Sequence, residues 1–283
     1  MRVSVYVCSH APKILRHCCA RMKLIILITI IAFVHGNQEV EVLKDNVHNP
    51  SQLVVDYQTS TLFFSHSSLF EGKTVLKSVY LNLNTKEFGE ISGINSGIAT
   101  AYDRSKHVVY LGGQDGIYTF DYTTKSAKNL RVTSYSIWQM FHCPVHGLYF
   151  TTFNPDEKAF VYSYGQVGPV PELTDIKTRL IAVGQKHDIY FANSAGIFVL
   201  KTIDGVLYKI HLETFIVNGF ASDINGKLYF STPNDIFYIN EDAGTLDRVI
   251  RVQEGESIWG VAFAADGSMI YALDDKIVMK KKD

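Results

Sequence analysis

The chain has two tryptophans, Trp138 and Trp259, and each follows the dipeptide Ser-Ile. An indole is a large flat hydrophobe with a single N–H, suited to stacking on a planar aromatic ligand. Arg179 has a forked guanidinium that can pair a ligand carboxylate bidentately. Gln52, Gln139 and Asn218 can add amide hydrogen bonds, and Phe153 adds aromatic surface. These seven are the candidate ligand-binding residues. Each also has a plainer reading: packing for the aromatics, a surface ion pair for Arg179, loop capping for the amides.

Catalytic chemistry is harder to find. There is no G-x-S-x-G elbow, no G-x-x-x-x-G-K loop and no pair of catalytic carboxylates. A calcium centre needs several converging oxygen ligands, and only Glu256, Asn218, Asp274 and Asp275 stand in comparable places. His142 and His146 are four apart, but Pro144 and Gly147 make that segment a turn, which removes the helical logic of a zinc pair. Cys143, on the same turn, reads as an inert thiol. No catalytic residue, metal or cofactor is therefore assigned, and a binding module is expected. Two alternatives stay open: a metal-dependent, lactonase-like hydrolase, and a protein-interaction scaffold.

What positions these residues is a repeat. A short strand centred on an aromatic recurs at Phe63, Tyr110, Tyr149, Tyr190, Tyr229 and Tyr271, with spacings of 47, 39, 41, 39 and 42. An apolar strand precedes each aromatic, joined to it by turns such as Asp103-Arg104-Ser105-Lys106, Asn225-Gly226 and Asp266-Gly267. A third strand follows, as in Gly116-Ile117-Tyr118 and Gly196-Ile197-Phe198, and then a more polar fourth. Four short antiparallel strands every 40 residues or so make a blade of a β-propeller. The expectation is an all-β, six-bladed propeller over residues 37–283 with few helices. The seven candidates then fall on loops at one end of the channel, with Trp138 and Trp259 heading blades three and six, opposite one another. The last copy has only three strands, while Glu39 to Leu43 alternate as a strand without a blade. That segment is expected to close blade six and remove an open edge.

The amino-terminal residues have a different character. Residues 1–36 carry five basic residues and no acid, and Leu24 to Val34 form an apolar run after Met22-Lys23. A basic start, a short apolar stretch and a small residue at Gly36 read as a secretory signal peptide, 1–36, with residues 1–21 either an extension of the gene model ahead of a true start at Met22 or a long basic lead-in. The run is too short for a bilayer anchor of about 30 Å, so no membrane association is expected after cleavage. The remainder has 22 basic and 28 acidic residues, a net charge of −6, which argues against binding nucleic-acid phosphates. Cys8, Cys18 and Cys19 leave with the signal and only Cys143 stays, so the core must stabilise the fold without an internal disulfide.

Several whole phrases resemble the ommochrome-binding proteins of moth haemolymph. They are Glu41-Val42-Leu43-Lys44-Asp45-Asn46-Val47, Thr61-Leu62-Phe63-Phe64-Ser65, Tyr80-Leu81-Asn82-Leu83-Asn84-Thr85-Lys86-Glu87-Phe88, Ile137-Trp138-Gln139-Met140-Phe141 and Asn225-Gly226-Lys227-Leu228-Tyr229-Phe230-Ser231-Thr232-Pro233. The resemblance implies a secreted insect carrier of tryptophan-derived phenoxazinone pigments such as xanthommatin. It names no binding residue.

Overall fold

A computed structural model describes residues 40–153 and 155–282. The segment read as a signal peptide lies outside the described residues. Within them are 24 strands, and the single helical element is a 3-10 turn at Pro171–Leu173.

The first strand is β1 (Val40–Asp45). Blade one is β2 (His48–Asp56), β3 (Thr61–Phe70), β4 (Lys73–Asn82) and β5 (Phe88–Glu90). Blade two is β6 (Ala99–Asp103), β7 (Val108–Gly113), β8 (Gly116–Asp121) and β9 (Ser126–Asn129). Blade three is β10 (Ile137–Cys143), β11 (Gly147–Thr152), β12 (Ala159–Ser163) and β13 (Gln166–Pro169). Blade four is β14 (Leu180–Val183), β15 (Ile189–Asn193), β16 (Gly196–Ile203) and β17 (Val206–Glu213). Blade five is β18 (Gly219–Ser222), β19 (Leu228–Ser231), β20 (Asp235–Asn240) and β21 (Thr245–Arg251). Blade six takes β22 (Gly260–Phe263), β23 (Met269–Ala272) and β24 (Lys276–Lys280). Its fourth strand is β1, antiparallel to β24. The six-bladed propeller and its amino-terminal closure both match the sequence reading; Glu39 lies outside the described residues, and the closing strand runs two residues further than Leu43.

The repeated aromatic has a packing cause. A strand sends alternate side chains to opposite faces, and in a blade both faces meet neighbours. Phe63 joins Tyr102 and Leu111 between blades one and two, while the next residue, Phe64, joins Leu53, Ile270 and Ile277 toward blade six. Phe64, Phe150, Phe191 and Phe230 hold equivalent places and are completely buried. Each burial contributes about 1.5–3 kcal/mol. The outermost strands meet water on one side, and β17 is exposed at seven of its eight positions.

The first turn of several blades is fixed by an aspartate that ends the inner strand or directly follows it. Asp56, Asp103 and Asp223 each accept a backbone N–H two residues on, at 2.9, 2.9 and 2.8 Å. Asp56 is buried and also accepts from the Thr59 and Tyr122 hydroxyls. Burial pushes its carboxyl up, but hydrogen bonds from Thr59, Tyr102, Tyr122 and the Gln58 N–H outweigh that and leave it below the ordinary carboxylate value. Asp56→Ala should cost about 3 kcal/mol at neutral pH, because buried hydroxyls lose their acceptor. The folded pKa is depressed, so this contribution is complete above the unfolded value of 3.8. It fades as pH falls through the folded value. The gap between the urea melts of the two proteins should therefore narrow in strong acid, and a gap independent of pH would contradict the assignment.

Candidate functional site

The inner strands β2, β6, β10, β14, β18 and β22 surround the channel. Toward the turns that follow them, the channel widens into a cavity of about 290 Å³. Small residues create the space: Ala101, Ala221, Ala262, Gly184 and Gly226 all border it. Leu53, Val55, Met140, Val183, Phe220 and Phe263 make its walls apolar. A mostly apolar hollow with a few polar groups at one end is the ordinary form of a small-molecule site.

The polar groups come from the turns. Arg104 leaves the first turn of blade two and reaches blade five, directly opposite in a six-fold ring. It donates to the carbonyl oxygens of Asp223 at 2.6 Å and Ile224 at 2.9 Å, and to the Tyr57 hydroxyl at 3.0 Å. Its guanidinium lies 4.6 Å from the Tyr57 ring centroid. One arginine therefore spans the mouth of the cavity, held by carbonyls and an aromatic face.

His142, at the end of β10, borders the cavity too. Its Nε2 lies 3.3 Å from Asp103 Oδ2, an atom with no hydrogen-bond partner among the described residues, so the pair is close without being well aligned. Burial holds the imidazole below its usual pKa, and the Asp103 charge opposes this only in part. The ring is thus neutral at physiological pH and can offer a donor or an acceptor to a ligand. The site has an apolar body, aromatic edges and a cationic end. That suits retention of a flat, largely apolar molecule bearing an acidic group.

None of the seven candidates from the sequence borders this cavity. They lie toward the opposite end of the channel. Trp138, Phe153 and Arg179 do come together: Phe153 meets the indole edge-on at 5.0 Å, and the Arg179 guanidinium sits 5.5 Å from the Trp138 ring. The Trp138 indole N–H is buried and has no partner among the described residues. Trp259 belongs to a different packing cluster, with Leu53 and Ile270, and donates its indole N–H to Asp274 at 2.8 Å. Gln139 is buried and its amide is spent on the scaffold. It donates to the Met140 and Ile181 carbonyls and accepts the Ile181 N–H at 2.9 Å, tying blade three to blade four. Asn218 donates to the Ile258 carbonyl at 2.7 Å across blades five and six. Gln52 adopts a left-handed backbone, φ 54°, where β2 bulges, and its carbonyl accepts from Thr100. Two of the acids weighed as calcium ligands also have protein partners: Asp274 with Trp259 and Ser257, and Glu256 with Lys276. Cys143, read as a turn residue, is instead the buried last residue of β10.

The cavity residues that the sequence reading did not single out include Arg104, Tyr57 and Phe220. The available signal was positional. Tyr57 and Arg104 follow the strand-ending aspartate directly, so a large side chain there must lie over the channel mouth.

No protein-family model matches the chain. It is 52% identical over 238 residues to the ommochrome-binding protein of Manduca sexta, covering 84% of this chain and 85% of that one. The chain belongs to the ommochrome-binding protein family. Solved structures resemble this family member in fold alone. A gluconolactonase from Xanthomonas campestris superposes with a TM-score of 0.67 at 13% identity, over 86% of this chain and 89% of that one. A calcium-binding regucalcin from Agrobacterium tumefaciens gives 0.65 at 14%, over 86% and 95%. So low an identity leaves this family's chemistry to be argued from its own residues.

Proposed function

We propose that the chain is a non-enzymatic, secreted carrier that holds an ommochrome pigment, such as xanthommatin, in the channel cavity. The observation that carries the reading is the 52% identity to a protein named for ommochrome binding. The cavity supports it in kind, with apolar walls for a fused planar ring system and Arg104 with His142 for its polar groups. Secretion is supported by the basic and apolar start of the sequence. Among the described residues no helix is long and apolar enough to cross a membrane.

A second reading rests on Trp138 beneath Arg179, which together with Phe153 offers a stacking surface at the other end of the channel, its indole N–H having no partner among the described residues. Titration of the protein with xanthommatin, followed by visible absorbance and tryptophan fluorescence, separates the two. Phe220→Ala should weaken binding about ten- to a hundredfold, by loss of an aromatic anchor worth roughly 1.4–2.7 kcal/mol. Arg104→Ala should weaken a carboxylate-bearing pigment more than its decarboxylated analogue. Trp138→Ala should bind as the wild type does. If only Trp138→Ala loses affinity, the pigment sits on that indole and the cavity assignment is wrong. Turnover of a lactone by the calcium-loaded protein would overturn the carrier reading itself.

A further inference from the structure

Three soft ligand groups converge beside the cavity, outside the set used above. The Sγ of Cys143 and one ring nitrogen each of His146 and His187 lie within 4.8 Å of one another. Their places follow from the repeat. Cys143 ends β10, His146 stands in the turn after it, and His187 stands 41 residues further on, in the corresponding turn of blade four. Neighbouring blades therefore bring the two imidazoles together, edge to face, with centroids 5.1 Å apart. Cys143 is a free thiol. Among the described residues, neither imidazole has a hydrogen-bonding partner in the protein.

We propose that Cys143, His146 and His187 form a zinc site joining blades three and four at the edge of the cavity. Thiolate with two imidazoles is a donor set for zinc rather than for calcium or magnesium. Ligands at about 2.3 Å for sulfur and 2.0–2.1 Å for nitrogen put tetrahedral donor atoms roughly 3.3–3.6 Å apart. The cluster must tighten by about 1 Å or more from its widest limit, and both histidines are exposed turn residues with room to do so. Three protein ligands leave one tetrahedral position for water or for a donor atom of a cavity ligand. Cys143 and His187 both border that cavity. The site depends on these three side chains alone and stands whether or not the cavity holds a pigment.

The test uses untagged full-length protein with Co²⁺ as a spectroscopic probe and Zn²⁺ as competitor. One equivalent of cobalt should give a thiolate charge-transfer band in the near ultraviolet that zinc abolishes. Because the full chain also contains Cys8, Cys18 and Cys19, the decisive comparison is with variants. Cys143→Ser should lose the band, and His146→Ala and His187→Ala should weaken cobalt binding about tenfold or more. Zinc should raise the melting temperature of the wild type but not of His146→Ala, whose exposed turn position leaves the metal-free fold intact. A band that survives Cys143→Ser, or a wild type that retains no zinc at one equivalent, overturns the proposal. If Cys143→Ser does not fold, equal cobalt affinity in both histidine variants and the wild type overturns it as well.

Discussion

A chain lacking Val40–Asp45 should melt far below the intact protein and aggregate once heated. The deleted strand is the partner of β24, paired from Val40 against Lys280 to Asp45 against Lys276 with one irregularity between Val42 and Lys44. Its Leu43 is buried among Leu53, Leu81, Ile270 and Ile277. Losing that side chain removes about 1.5–3 kcal/mol, and each ladder hydrogen bond lost adds about 1. The sum approaches the whole stability margin of an ordinary domain, about 5–15 kcal/mol. The exposed edge of β24 then becomes a template for pairing between molecules. Leu43→Ala is the graded control, expected to cost about 2–4 kcal/mol without opening the edge. Thermal melts with light scattering measure both, and an unchanged midpoint in the deleted chain would show that the ring closes without β1.

Gly196→Ala should be among the most damaging single substitutions in the protein. Gly196 opens β16 with φ +131°, a region that L side chains rarely adopt. A Cβ there would collide with the carbonyl oxygen of Glu213 and lie 2.9 Å from Thr214 Cα, both backbone atoms of the outer strand and the loop after it. Neither can yield without unzipping β16 from β17. The expected loss is about 3 kcal/mol or more, strain and clash together. Gly165 separates the two causes: its φ is +81°, but nothing lies within 4 Å of a built Cβ. Gly165→Ala should cost only the backbone strain, about 1 kcal/mol. Urea denaturation of the pair would refute the steric argument if the two losses were equal.

These glycines also show what a sequence can disclose. The phrase Gly-Ile recurs at Gly116 and Gly196 because backbone passes too close for a side chain, the loop after β9 at Gly116 and the end of β17 at Gly196, so a backbone constraint surfaces as a repeated letter. The blade count and the borrowed strand are legible for the same reason: both depend on periodic backbone pairing. Which end of the channel is hollow depends instead on small differences in volume among inner-strand residues, and Ala101, Ala221 and Ala262 look like any other alanines in an apolar run. Gln139 resembled a ligand donor because its amide is polar and near a channel. Only the three-dimensional register shows that Ile181 of the next blade has already claimed both ends of it. Arg104 hid in a turn, since nothing local reveals a partner 120 residues away at Ile224. His146 and His187 were separable from the broken His142 pairing only by superposing the repeats and reading down corresponding turns.

The borrowed strand of blade six also orders events in time. Val40 pairs with Lys280 across 240 residues, among the longest separations the chain contains. Of the described strands, β1 is synthesised first and its partner β24 last. Blades one to five can collapse in succession from local hairpins, which are quick to form, whereas the final join must wait for the carboxyl-terminal strand. A nascent chain therefore carries two unsatisfied sheet edges for most of its production. Once the seam is zipped, opening requires a long-range ladder and its buried Leu43 to let go together. The finished ring is thus guarded by the slowness of its opening as well as by the depth of its energy well.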